Sequence, residues 1–193
     1  MGNGIRIIRN ASVEAIAPIV EKTTDGLIVE ELIRQSSALS VFHPKSVNTV
    51  RIPTWVVDDK INVLPSFIRF GCGGAEVDNA AKGGLFGFID LESGIVTGVC
   101  DKRGRPQVTH PDSHLSIVGL SIPHWDECVS LAKELAKVVP DAKYVGWDLA
   151  FTDNGWALVE GNVYGQFVCQ QLSSRKGIRD FLLAIDPHCF DFE

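Results

Sequence analysis

The chain has 193 residues, of which 45% are hydrophobic and 22% charged, so it carries enough apolar surface for a core and is not a disordered segment. Its formal charge of -6, with no Lys/Arg run, argues against nucleic acid as a partner. The five cysteines (Cys72, Cys100, Cys128, Cys169 and Cys189) are odd in number and form no C-x-x-C pair, which excludes a disulfide framework or an obvious zinc site. A reducing, cytoplasmic setting is therefore expected, with no membrane partner, since no signal core or membrane-spanning stretch occurs. The length suits one domain, or two small lobes around one cleft.

In chain order, residues 5–8 predict a short strand after the glycine pair of residues 1–4. Residues 12–22 predict a helix weakened by Pro18, and Asp25-Gly26 a turn. Residues 27–32 predict a strand carrying Glu30 and Glu31, and residues 36–47 a short helix and turn. Long strands are expected over 48–57 and 61–70, each holding one proline (Pro53, Pro65) at an edge or bulge and one arginine (Arg51, Arg69). A glycine-rich loop at 71–84 contains Asp78-Asn79 and Lys82; a hairpin follows over 85–90 and 95–100. Residues 101–121 predict a loop. His110 and His114 within it superficially suggest a metal pair, but without a third ligand nearby a surface loop is the expectation.

Residues 125–139 predict an amphipathic helix, because Trp125, Cys128, Val129, Ala132, Leu135, Ala136 and Val139 fall on one stripe. Asp126 and Glu127 suit its first turn and Pro140 closes it. A last helix is expected over 174–185, and residues 166–171, with Gln166, Gln170 and Gln171, are candidates to line an acceptor pocket. Strands and helices mix without strict alternation, so the class is α+β, an antiparallel sheet packed by helices.

The stretch that organises these elements is 144–162, YVGWDLAFTDNGWALVEGN, two β-forming runs around an Asn154-Gly155 turn signal. Asp148 and Glu160 each sit among apolar neighbours, and Asn162 follows Glu160 at the strand period of two. Two carboxylates and an amide oxygen suit a hard cation such as Mg²⁺; the alternative is a solvated hairpin whose acids face water. Register decides between them. A two-residue loop pairs Asp148 with Gly161 and sends the carboxylates to opposite faces. A three-residue loop, 153–155, pairs Thr152 with Trp156 and Asp148 with Glu160. The expectation is the three-residue loop, with Gly155 at positive φ. Trp147, Leu149, Phe151, Ala157 and Val159 then turn to the opposite, helix-facing side.

The spacing D-x-x-x-x-x-x-G-x-x-x-x-E-x-N, here Asp148, Gly155, Glu160 and Asn162, resembles the metal hairpin of ATP-grasp enzymes. LIVEELIRQ (27–35), HPKSVNTVR (43–51), 67–84 and 122–125 are similar, in the same order, to the sugar-transfer-associated ATP-grasp domain. They are more distantly similar to ATP-dependent glutamate ligases. The resemblance implies a single ATP-grasp-like domain over 1–193 that binds ATP and Mg²⁺. The resemblance further implies that it would activate a carboxylate as an acyl phosphate for an amine or similar acceptor, in polysaccharide or sugar-transfer metabolism. It implies metal on Asp148, Glu160 and Asn162, phosphate on Arg51 and Arg69, and a phosphate- or metal-orienting role for Asn79. Gly4 would close a phosphate loop, and Glu30 or Glu31 would accept the ribose hydroxyls; which of the two is open. Such domains place a lysine strand and most of a glycine-rich loop upstream of these motifs. A missing N-terminal lobe, or a second chain or segment that completes it, is therefore expected. The rival reading is a non-catalytic remnant that binds a metal or a partner.

Overall fold

The computed structural model describes residues 8, 11–23, 26–74 and 84–191. The chain divides into two compact units, Met1–Leu32 and Ile33–Glu193. In the first, helix α1 (Val13–Lys22) starts where expected, with Ser12 Oγ accepting the Ala15 N–H, and it tolerates Pro18 internally. Residues 27–32 form no strand, contrary to the expectation from their β-forming composition. No described strand supplies a ladder for them, and a lone extended segment has no hydrogen-bonding partner to fix it. Leu27, Ile28 and Val29 are accordingly exposed at 45%, 84% and 66%. The strand expected at 5–8 lies outside the described residues except for Ile8, which is in none.

In the second unit a four-residue helix α2 (Ser37–Ser40) precedes eight strands among the described residues, all paired antiparallel. They are β1 (Thr49–Val57), β2 (Lys60–Val63), β3 (Ser66–Phe70), β4 (Leu85–Ile89), β5 (Val96–Asp101), β6 (Pro106–Gln107), β7 (Tyr144–Thr152) and β8 (Gly155–Asn162). The order across the sheet is β6-β5-β4-β3-β1-β7-β8, with β2 also on β1. The strand expected over 61–70 is therefore interrupted. Thr54 pairs with Val63 and Arg51 with Phe67, so Leu64-Pro65-Ser66 faces only Ile52-Pro53. Proline has no N–H to donate, and both prolines of the two strands fall at this bulge. The Leu64 N–H still reaches the Pro53 carbonyl at 2.9 Å.

Strand alternation gives the sheet two different faces. On one, Val50, Ile52, Ile68, Phe70, Trp147, Leu149 and Phe151 form the main core. Helix α3 (Trp125–Val138) packs there with buried Trp125, Cys128, Ala132 and Ala136, much as the stripe predicts. Val139 falls outside that helix, at its C-cap, 37% exposed. On the other face Phe67, Phe86 and Cys100 meet Cys169 and Leu172 of helix α4 (Val168–Ser174). The helix expected over 174–185 therefore begins later, since α4 ends at Ser174. Arg175 caps α4 in the left-handed conformation (φ 58°), Gly177 follows, and α5 spans Arg179–Ile185. No described helix is long and apolar enough to cross a membrane.

Candidate functional site

The second sheet face carries the polar constellation. Arg51 on β1 lies opposite Asp148 on β7 and Phe67 on β3; Arg69 lies opposite Thr49. These positions share one face by register, and their side chains meet. Arg51 grips Asp148 as a fork, Nε to Oδ1 and a terminal NH2 nitrogen to Oδ2, the latter at 2.7 Å. Arg69 donates to the same Oδ2 at 2.7 Å and to Thr49 Oγ1 at 2.9 and 2.7 Å. Asp148 is wholly buried, whereas the side chains of Arg51 and Arg69 keep 12% and 21% of their exposure. Burial alone would raise the Asp148 carboxyl, but the Arg51 hydrogen bonds and the charges of Arg69 and Arg51 outweigh it. The group is held below the ordinary carboxylate range.

The β7–β8 hairpin reaches the expected pairing by another route. Thr152 pairs with Gly155 rather than Trp156, so the loop is the two residues Asp153-Asn154 and not three. Gly155 does have positive φ, 98°. The ladder runs Leu149↔Leu158, then shifts to Asp148↔Glu160, leaving Val159 as an unpaired bulge. That extra residue restores the parity the short loop removes. Glu160 lies opposite Asp148, and Asn162 opposite Gly146, on the face of Arg51. Asn162 Nδ2 donates to Glu160 Oε1 at 3.1 Å. The bulge also corrects the facing of β8. Trp147, Leu149 and Phe151 enter the core, but Ala157 pairs with Ala150 on the polar face and Val159 is the bulge. Trp156 and Leu158 take the core-side positions instead.

Two neighbours of the site carry no motif signal. The Arg51 side chain crosses Gly146 so closely that a Cβ there would stand 3.0 Å from Arg51 Cδ. Tyr144, two residues earlier on the same face, has its hydroxyl pushed up to about 12 by burial, partly offset by Arg51. Helix α4 covers this side as well. Burial raises the Cys169 thiol while the nearby charges of Arg69 and Arg51 lower it. Beside it, Gln170 is buried, with neither Nε2 nor Oε1 hydrogen-bonded among the described residues.

A second polar cluster lies at the end of β3. His110, expected on a surface loop, is fully buried. Its Nε2 donates to the Gly71 carbonyl at 2.8 Å, and its Nδ1 accepts the backbone N–H groups of Asp112 and Ser113 at 3.2 and 3.4 Å. His43 Nε2 donates to the Gly73 carbonyl at 3.0 Å, while its Nδ1 accepts the Ser46 hydroxyl at 2.8 Å. Asn48 Oδ1 takes the Gly71 N–H at 3.2 Å, and Asp112 Oδ2 takes that of Gly73 at 2.6 Å. Four side chains thus tether Gly71 and Gly73, where the glycine-rich stretch leaves the sheet. Cys72, His110 and Asp112 come close enough to share an ion. Yet both ring nitrogens of His110 are engaged with backbone, and burial first, then Asp112, pushes the Cys72 thiol up to about 11. The cluster's chemistry is that of a tether.

Of the residues singled out in the sequence, Arg51, Arg69, Asp148, Glu160 and Asn162 therefore converge on one face of four strands. Glu30 and Glu31 lie in the other unit, both exposed and in no strand, so alternation does not separate them. Gly4, Asn79 and Lys82 lie outside the described residues. The donor set fits a hard divalent cation: two carboxylates level across the hairpin and an amide on the same face, all oxygen donors. No curated protein and no solved structure matches the chain. A family model described as sugar-transfer associated ATP-grasp matches residues 7–187, and the chain belongs to that family.

Proposed function

We propose that this chain binds ATP with Mg²⁺ and activates a carboxylate as an acyl phosphate, which an amine or similar acceptor then takes. Family membership supports ATP-dependent ligase-type activity in general. The observation that carries the finer reading is the meeting of Arg51, Arg69, Asp148 and Glu160 on one sheet face, with Asn162 beside them. Phosphoryl transfer asks for positioning and charge neutralisation more than for a nucleophilic side chain. Guanidinium groups match phosphate oxygens bidentately, so Arg51 and Arg69 are assigned to the polyphosphate. Asp148, Glu160 and Asn162 would hold the metal, which supplies charge neutralisation to the phosphates when bound. Glu30, Glu31, Gly4 and Asn79 remain assigned to the nucleotide on the family resemblance alone.

The test is ADP release from MgATP, measured across a panel of small carboxylates and amines. Turnover that needs a carboxylate and fails in Glu160→Gln supports the reading. A chain that binds MgATP but turns over with none of them favours the second reading, a non-catalytic remnant. One observation favours that alternative: both guanidinium groups are engaged by Asp148. A purely structural ion cluster would look the same. The sugar-transfer setting and a cytoplasmic location belong to the same proposal.

A further inference from the structure

Asp148 has both carboxylate oxygens taken by Arg51, and Oδ2 is shared with Arg69. The group has no exposed surface, so water does not compensate it if those partners leave. The residues assigned to the metal and to the phosphates are therefore each other's counter-ions. We propose that Asp148 makes the site select a metal-complexed polyphosphate over either ion alone, an inference that rests on the nucleotide reading above.

The charge count explains why. A polyphosphate entering alone must draw Arg51 and Arg69 from a buried carboxylate and leave that anion uncompensated beside another. A divalent cation entering alone must displace two guanidinium groups and leave them beside a further positive charge. When both enter, Asp148 exchanges guanidinium for metal as the guanidinium groups exchange carboxylate for phosphate. No charged group is then left without a partner. Glu160 stands level with Asp148 on an exposed edge strand and adds to the metal's side of the exchange. By linkage, each ion raises the affinity of the other by the same factor.

Metal and polyphosphate also attract each other in free solution, so the decisive comparison is between variants given one ion at a time. The anion probe is the ATP analogue AMP-PNP in EDTA, followed by calorimetry. The cation probe is Mn²⁺ alone, followed by electron paramagnetic resonance. Asp148→Asn removes the carboxylate charge that both guanidinium groups face and is expected to bind metal-free AMP-PNP at least tenfold more tightly than the parent. Arg51→Gln takes from Asp148 the guanidinium that engages both its oxygens and is expected to bind Mn²⁺ alone at least tenfold more tightly. Tenfold corresponds to about 1.4 kcal/mol. Both are gains of binding, which a destabilised chain does not produce, and either arm decides if the other variant fails to fold. Equal one-ion affinities in parent and variants, with Mn²⁺–AMP-PNP still bound by the parent, overturn the selection and leave the nucleotide reading standing. Failure of the parent to bind Mn²⁺–AMP-PNP overturns both.

Discussion

Replacing Arg51 by methionine is expected to cost far less in a chain that already lacks Asp148. In the parent, Arg51→Met leaves a wholly buried carboxylate with Arg69 as its one remaining guanidinium. Breaking a buried pair by removing one partner costs about 3–5 kcal/mol. Because Arg69 stays, the low end applies, about 3 kcal/mol. Asp148→Asn retains an acceptor oxygen but strips the charge that both guanidinium groups face, for about 2–3 kcal/mol by the same reasoning. With both changes the mismatch is gone, so the double variant should lose about 2 kcal/mol less than the sum. Urea unfolding followed by tryptophan fluorescence measures all four corners, and Trp147 adjoins Asp148 in the strand. The acid limb of the parent gives a second reading. The folded Asp148 carboxyl lies below its ordinary value, so its contribution is complete above about pH 4 and is lost as pH falls toward the folded value. Arg51→Met should flatten that limb. Additivity within about 0.5 kcal/mol, with an unchanged acid limb, would refute the coupling.

Arg51→Lys keeps the charge but loses the fork, so it should bind Mg²⁺–AMP-PNP about tenfold more weakly than the parent. Calorimetric titrations indistinguishable among parent, Arg51→Lys and Arg51→Ala would remove Arg51 from the site. Gly71→Ala would drive its Cβ into Ser46 Oγ and to 2.6 Å from His43 Nδ1, at a cost of about 1–3 kcal/mol; an unchanged melting temperature would contradict the tether. Burial, ahead of its other interactions, lowers the His110 pKa. Its contribution to stability is therefore complete above its ordinary value of about 6.5 and declines as pH falls through it. A melting-temperature profile between pH 8 and 5 should be steeper for the parent than for His110→Gln, and equal slopes would exclude His110. Gln170→Leu should gain about 1–3 kcal/mol by removing a buried amide that has no partner among the described residues, and a loss of stability would show that the amide is satisfied.

Local chemistry was legible wherever periodicity or a turn residue carried it. The α3 stripe, the 85–100 hairpin and the positive φ of Gly155 all follow from residues within a few positions of one another. What escaped was set by partners distant in sequence. The 27–32 segment has strand composition, yet composition does not supply a neighbouring strand. His110 sits between prolines and polar residues and looks solvent-facing, but the end of β3 closes over it through Gly71. The arginines were legible as a cationic pair. That they meet Asp148 depends on β1 running between β3 and β7, a topology no local pattern encodes.

The hairpin register shows how an apolar constraint sets a polar site. Had β8 continued from Leu149↔Leu158 without a bulge, Asp148 would face Val159 and Glu160 would lie opposite Trp147. A carboxylate would then enter the face that Trp147, buried and bonded to Thr54 Oγ1 at 2.9 Å, shares with the core. Burying that charge without a counter-ion costs more than one unpaired backbone residue on an edge strand. The shift instead sets Gly161 opposite Trp147, where a Cβ would stand 2.8 Å from the indole Cζ3. Across the ladder Gly146 makes the same concession to Arg51. Each glycine thus admits one large side chain, Trp147 on the core face and Arg51 on the polar face. The register that satisfies both is the one that places Glu160 level with Asp148. Gly161→Ala should consequently disturb Trp147 and the Asp148–Glu160 pairing together, although residue 161 points away from the site.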